Sequence, residues 1–333
     1  MNTRFDLVLG AGGIGSGVLW QLDDNRILDR DESRGAKLSE ARDYCKQHII
    51  LHYLSQVMGE EANIYAIGKT GDDDAGRRLR SEMRDAGIKM DFVEEVAGGI
   101  TMQSVCIQYP DFHVCNLTSS NSVNGEVDAG YILQCLRRIT DPVGSRTVVV
   151  AVPEVPLQAR IALLEYGKKL GAFCAASVLY DEAEDFVNQN GLSLCDLLVV
   201  NETEAKALLG KDLKGENLAH EFTLVPDLHG CMVAITCGEL GAFTIEAGIV
   251  VHTPALPVKV ASTAGAGDAF TAGLICGLHL GLPFHTVSSQ HCRIGFGSAV
   301  ELAAAFAAKS VECVHTICPD INRSFVKGVI NAL

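Results

Sequence analysis

No stretch of about 18 uncharged apolar residues occurs in this 333-residue chain, so no membrane-spanning helix is expected. The start, Met1-Asn-Thr-Arg-Phe-Asp6, lacks a basic segment followed by an apolar run and a small-residue cleavage site, which points to a cytoplasmic protein. Positive charge is scarce. Against 41 aspartates and glutamates stand 27 lysines and arginines, a net charge of −14. Such a surface repels nucleic acid and anionic membranes, while a local field can still admit an anionic small molecule. No Cys-x-x-Cys pair occurs among the 12 cysteines, which read as reduced thiols, several of them core residues such as Cys106, Cys174 and Cys276. Cys313-Val-His315-Thr-Ile-Cys318 groups three possible ligands without a partner motif, so zinc is not expected. Internal repeats, low-complexity tracts and Pro/Ser-rich linkers are also missing, which leaves one domain over 1–333.

What is present is an alternation. Short apolar runs at 5–9, 64–67, 147–152, 172–177, 197–200 and 232–236 read as strands. Amphipathic stretches at 40–58, 75–86, 157–170, 202–209, 265–280 and 291–307 read as helices. The pattern predicts an α/β fold, an open and mostly parallel sheet with helices on both faces. The near-continuous hydrophobicity of the strands fits burial on both sides. Two segments break the rhythm, at about 15–37 and 88–117, and are expected to form a small β-rich excursion. Residues 242–251 read as a hairpin turning at 246–248.

The chemistry concentrates in Thr263-Ala-Gly-Ala-Gly-Asp268-Ala-Phe-Thr-Ala-Gly273, between a strand end and a helix. Glycines let the backbone approach an oxyanion, and the N–H groups and dipole of a helix start favour negative charge. Asp268 falls in the first turn, where a carboxylate can accept a hydroxyl proton or can simply cap the helix. Asn201-Glu-Thr-Glu204 follows a buried run at a strand's carboxyl end, where ligands collect in open α/β sheets. Its amide and carboxylates can orient Mg²⁺ through water, with Glu204 the metal-side candidate, and can equally form a capping box. Thr236-Cys-Gly238-Glu-Leu-Gly241 also follows a strand, as a nucleotide-approach turn or an ordinary tight one.

These three segments, in this order, resemble the ribokinase/PfkB family of carbohydrate and nucleoside kinases. The late signature is matched at Thr263, Gly265, Ala266, Gly267, Asp268, Phe270 and Gly273, and Gly68-Lys-Thr-Gly71-Asp-Asp-Asp-Ala-Gly76 is similar to an upstream family segment. The resemblance covers roughly 62–310 and implies a ribokinase-like fold with a β-rich lid that closes over substrate and often mediates a homodimer. It implies ATP-dependent phosphorylation of a sugar or nucleoside hydroxyl, with ATP and Mg²⁺. Asp268 would be the base, and the N–H groups of Gly265, Ala266 and Gly267 the anion hole. Asn201 and Glu204 would act on phosphate and Mg²⁺, and Thr236, Gly238 and Gly241 would line the nucleotide.

The N-terminal part departs from that pattern. The family's sugar-holding Asp after the first strand would fall near Gly15, and its Gly-Gly-x-x-x-Asn segment is replaced by 37–46. Gly12, Gly13 and Glu154 remain as substrate-side candidates, while Arg42, Asp43 and Lys46 read as a solvated helix face. Ser262 stands where the family usually has an Asp, which puts monovalent-cation activation in doubt. Two other readings compete. Gly10-Ala-Gly12-Gly-Ile-Gly15 after a strand, with Asp29 or Asp31 beyond it, is the pattern of an NAD(P)-dependent oxidoreductase. A non-catalytic ligand-binding protein on a kinase fold would explain the altered substrate side.

Overall fold

Runs of Val, Leu, Ile and Ala set the central strands. The computed structural model describes residues 3–111, 114–228, 230–286 and 297–331. In chain order the elements begin with β1 (Leu7–Ala11), β2 (Gly15–Gln21), β3 (Lys37–Tyr44), α1 (Lys46–Met58), β4 (Asn63–Gly71), α2 (Asp74–Asp85) and β5 (Lys89–Val96). Next come β6 (Met102–Gln108), β7 (Val114–Thr118), α3 (Ala129–Arg138), β8 (Thr147–Ala151), α4 (Leu157–Leu170), β9 (Phe173–Ala176) and α5 (Ala183–Asn188). The chain continues through β10 (Leu197–Asn201), α6 (Glu202–Leu209), α7 (Gly215–Phe222), β11 (Met232–Thr236), β12 (Ala242–Glu246) and β13 (Ile249–Thr253). Helices α8 (Ala266–His279), α9 (Ala299–Val311) and α10 (Arg323–Asn331) complete it.

Nine strands form one sheet in the order β13-β12-β11-β10-β9-β8-β1-β4-β5. Its pairs are parallel from β5 to β11, and the β12–β13 hairpin is added antiparallel at one edge. Both β1 and β8 are buried along their whole length, because helices cover both faces. Ile50, Leu54, Ile275 and Phe306 pack against one face, and Leu136, Leu163, Leu164 and Phe222 against the other. This is the open, helix-covered sheet that the alternation predicts. Ala247 and Gly248, with φ of 50° and 77°, make the β12–β13 turn where the hairpin was expected.

The β-rich excursion is a separate four-stranded sheet, β3-β2-β6-β7, but its limits differ from those expected. Residues 40–44 are not helical. They belong to β3, which pairs antiparallel with β2, and α1 begins only at Lys46 after an extended Cys45. No glycine or proline marks that junction, so the sequence carries no local signal that separates the strand from the helix. At the other end, residues 89–96 are β5, paired parallel with β4 at the edge of the large sheet. The small sheet therefore comprises 15–21, 37–44, 102–108 and 114–118, with 22–36 as an irregular excursion between β2 and β3. Asp73 fixes its second root. The carboxylate caps α2 by accepting the Gly76 N–H at 2.8 Å, and it also accepts the Thr101 N–H at 2.9 Å and the Thr101 hydroxyl at 2.6 Å.

The helix expected over 291–307 is α9, which starts later because Ser298 caps it through the Glu301 N–H; residues 287–296 lie outside the described residues. α9 packs unusually close to α8. A Cβ at Gly273 or Gly277 would come within 2.6 Å of the Cα of Ala303 or Ala299. The two backbones thus meet directly, which fixes α8 rigidly beneath its N-terminus.

Candidate active site

The carboxyl ends of β1, β8, β10 and β11 lie in register, with Ala11 beside Ala151 and Asn201 beside Thr236. The crevice outside these ends is where an open parallel sheet leaves backbone groups and loop side chains free to meet a ligand. The candidate segments converge there from opposite ends of the chain.

α8 enters this crevice through Gly265, which adopts φ of 79° as its N-cap. A side chain at Gly265 would also collide with the backbone, its Cβ lying 2.7 Å from the Thr316 carbonyl oxygen. The first N–H groups of α8 have no intrahelical partners, as at any helix start, although the Ala266 N–H reaches the Thr263 carbonyl at 3.4 Å. At Gly267 a Cβ would meet nothing within 4 Å, so its backbone borders open space. Ser262 is buried, and its hydroxyl accepts the Ala264 N–H at 3.3 Å.

Asp268 is buried in the first turn of α8. Lys46, the first residue of α1, places Nζ 3.5 Å from Asp268 Oδ1. Burial raises the Asp268 carboxyl above its usual range, and the Lys46 ammonium pulls it back. Lys46 itself is held above its ordinary value, chiefly by Asp268 and secondarily by Glu204 and Glu154. The reading of Lys46 as a solvated helix face is thus corrected: its side chain points inward. Asp43 is also not on a helix. It lies on the inner face of the small sheet, where its Oδ2 accepts the Ser104 hydroxyl at 3.2 Å and the Cys106 thiol at 3.0 Å. Arg42, on the opposite face, pairs with Glu82.

Glu154 follows β8 with φ of 76°, a strained value for a residue with a side chain. Its Oε2 accepts the Lys46 N–H at 3.3 Å. Burial pushes its carboxyl up to about 7, against the opposing pull of Lys46. The space it fills is informative. A Cβ at Gly13 would stand 2.4 Å from Glu154 Cβ and 3.0 Å from Oε2. Glu154 thus brings a carboxylate from the β8–α4 loop directly over Gly13, just beyond the end of β1. Gly12 lies under Val152, and the Gly13 N–H donates to the Pro153 carbonyl at 3.0 Å, so both glycines shape the floor under Glu154. Glu154, Asp43, Ser104, Asn116 and Thr118 border a cavity of about 20 Å³, so the small sheet lies close over this side.

On the other side of Asp268, Asn201 and Glu204 form the expected capping box. Asn201 Oδ1 accepts the Glu204 N–H at 2.9 Å, and Glu204 Oε2 accepts the Asn201 N–H at 2.8 Å. Burial raises the Glu204 carboxyl and Lys46 lowers it, so Glu204 faces the same cleft. The Thr236 hydroxyl donates to the Val200 carbonyl at 3.4 Å. Gly238 and Gly241 follow it with φ of 56° and 93°, and the space beyond Gly238 is open.

The dinucleotide pattern fails on local structure. Gly10 is inside β1, and Gly15 begins a strand of the second sheet instead of a helix. The glycine loop opens no helix of its own, and the first N–H of the nearby α1, that of Lys46, is already taken by Glu154 Oε2. The close packing of Leu51, 2.8 Å from a Cβ at Gly10, accounts for the first glycine. In the Cys313–Cys318 segment, Cys318 is buried and its N–H donates to the Tyr53 hydroxyl at 2.7 Å. Thr316 in that segment was not singled out from sequence. It supports Gly265, accepts the Tyr44 N–H at 3.2 Å and donates to the Arg42 carbonyl at 3.2 Å, so it ties β3 to the entry of α8.

Comparison with known proteins agrees with this architecture. The pfkB family carbohydrate kinase description matches residues 50–321. A deoxyribokinase of Salmonella typhi is 28% identical over 214 residues, which cover 63% of this chain and 66% of the relative, just under two thirds. A ribokinase of Cryptococcus neoformans var. grubii, solved with ADP, superposes with a TM-score of 0.75 at 18% identity over 97% of this chain and 99% of that one. A Burkholderia thailandensis nucleoside kinase in complex with inosine gives 0.71 at 17% identity, over 96% of each chain. At such identities these structures show the fold, which is ribokinase-like.

Proposed function

The chain belongs to the pfkB family of carbohydrate kinases, and from that premise we propose that it transfers the terminal phosphoryl group of ATP to a hydroxyl of a small sugar or nucleoside. One observation carries the reading: the buried Asp268 carboxylate at the entry of α8 lies in the same cleft as Glu154 and Glu204. In this reading the acceptor oxygen attacks the terminal phosphorus, the bond to the ADP oxygen breaks, and Asp268 takes the hydroxyl proton. The N–H groups of Gly265, Ala266 and Gly267 face the charge that grows on the phosphoryl oxygens. Thr236, Gly238 and Gly241 border the nucleotide. The open space at Gly238 and Gly267 leaves room for a nucleotide and its phosphates. Glu204, a hard oxygen donor with lone pairs beyond the one its capping bond uses, fits Mg²⁺ held through water. When bound, that ion would neutralise phosphate charge. Ser262 offers a neutral oxygen already committed to a backbone N–H, so activation by K⁺ is not part of this reading.

Glu154 holds acceptor hydroxyls as an ionised carboxylate. Its carboxyl is held up to about 7, so protonation below that pH removes an acceptor of hydrogen bonds. The acceptor KM is therefore expected to rise by about tenfold per pH unit on the acid side of that value, with the ATP KM flat. An acceptor KM independent of pH would remove Glu154 from this role.

Acceptor-dependent ADP release over a panel of pentoses, hexoses and nucleosides tests the reaction. Stabilisation by Mg·ATP but not NAD(H) in a thermal-shift assay accompanies it. Silence across the panel, with nucleotide still bound, would favour the non-catalytic binding protein. The outer face of the small sheet exposes Val18, Leu38, Val105 and Leu117, which suits docking of a second copy. A monomer at every concentration in sedimentation would count against that dimer. Among the described residues no helix is long and apolar enough to cross a membrane.

A further inference from the structure

Lys46 stands where helix energetics disfavour it. It is the first residue of α1, a helix with no side-chain cap and no acidic residue in its first turn. A cation at a helix N-terminus meets the positive end of the dipole, so this position does not serve the helix. Its main-chain N–H is fixed by Glu154 Oε2 at 3.3 Å, and its ammonium crosses to Asp268 Oδ1 at 3.5 Å, 222 residues away in sequence. Among the described residues, the other groups that act on Lys46 and Asp268 are acids, while the buried Arg160 of α4 acts on Glu154. Asp43 comes from β3, Cys45 precedes α1, Glu154 follows β8 and Glu204 lies on α6.

We infer that Lys46 is a positioning residue for Asp268: it keeps the buried carboxylate ionised and aimed into the cleft, so that it can accept the acceptor hydroxyl's proton near neutral pH. The inference rests on Asp268 being the proton acceptor. The physical case is a balance of opposing effects. Burial and the neighbouring Asp43 both favour a protonated Asp268, and such a group accepts nothing. The Lys46 ammonium, 3.5 Å away, opposes that tendency. Lys46 remains charged throughout, because the acids around it hold its ammonium above the ordinary lysine value. The same geometry explains why a lysine suits this place better than a neutral amide, which would orient the carboxylate without neutralising it.

The experiment is kcat at saturating ATP and acceptor, followed from about pH 5 to about pH 9, for the wild type, Lys46→Met and Lys46→Arg. In Lys46→Met the acid limb is expected to move up by about one pH unit or more, so that its deficit is about tenfold larger at the acid end than on the plateau. Lys46→Arg should keep the wild-type limb. A Lys46→Met enzyme that loses rate evenly at every pH, with the limb unmoved, would overturn the inference and leave Lys46 a packing residue. The carboxyl ¹³C resonance of Asp268, assigned by its loss in Asp268→Asn, gives a readout that needs no turnover. Its titration should shift upward in Lys46→Met, or in Lys46→Gln if the methionine variant does not fold. An unshifted titration overturns the inference. A wild type silent on every acceptor overturns the kinase reading instead, and the carboxyl titration still decides the role of the lysine.

Discussion

Asparagine in place of Asp268 is expected to lower acceptor-dependent ADP release by about 10²–10⁴-fold, the usual contribution of a general base. The substitution keeps the size and shape of the side chain and removes only its capacity to take a proton. The fold should tolerate it. Lys46 loses its closest partner, yet Glu154 and Glu204 still act on it, and α8 remains packed on α9 through Gly273 and Gly277. The ATP KM should stay within about twofold, because binding of the nucleotide does not require the proton acceptor. Steady-state kinetics with a thermal-shift control make the measurement. An Asn variant that retains more than about a tenth of the wild-type rate would mean that Asp268 is not the base.

The second large effect separates two glycines that look alike in sequence. Gly265→Ala should cost both stability and activity. Its φ of 79° disfavours any side chain, and the new Cβ would lie 2.7 Å from the Thr316 carbonyl oxygen. The backbone at the entry of α8 must then shift, and Thr316, which also holds β3, must shift with it. Strain of this kind costs about 1–3 kcal/mol. The loss of aligned N–H donors should remove about 10²–10³ in kcat. Gly267→Ala is the contrast. A Cβ there meets no protein atom within 4 Å, so the melting temperature should hold. If Gly267 borders the transferred phosphate, the methyl group enters that space and kcat falls by a similar factor. Full activity in Gly267→Ala would place the phosphate elsewhere, and an unchanged melting temperature in Gly265→Ala would deny the strain at the cap.

Much of the geometry on the proposed phosphate side was legible because it is local. Thr263–Gly273 is a contiguous turn and helix start, and Asn201-x-x-Glu204 closes a capping box within four residues. The strand ends that gather these segments could be read from apolar runs of five or six residues. The proposed acceptor side follows a different logic. Gly13 and Glu154 are 141 positions apart, yet one fills the space above the other. Asp43 faces the cleft and Arg42 faces away only because β3 pairs with β2 in the register that sets Asp43 beside Gly17 and Arg42 beside Val18. A slip of one residue would exchange them.

The amino-acid sequence alone determined the α/β architecture, the helix entry at Gly265 and the family resemblance, since each depends on short-range periodicity or on residues adjacent in the chain. Only the tertiary structure decided that residues 40–44 are strand, that Gly10, Gly12 and Gly15 build no dinucleotide cradle, and that Lys46 reaches Asp268. Those outcomes depend on which distant segments share a crevice. Charge pairing and burial act through space, and chain order carries no direct record of either.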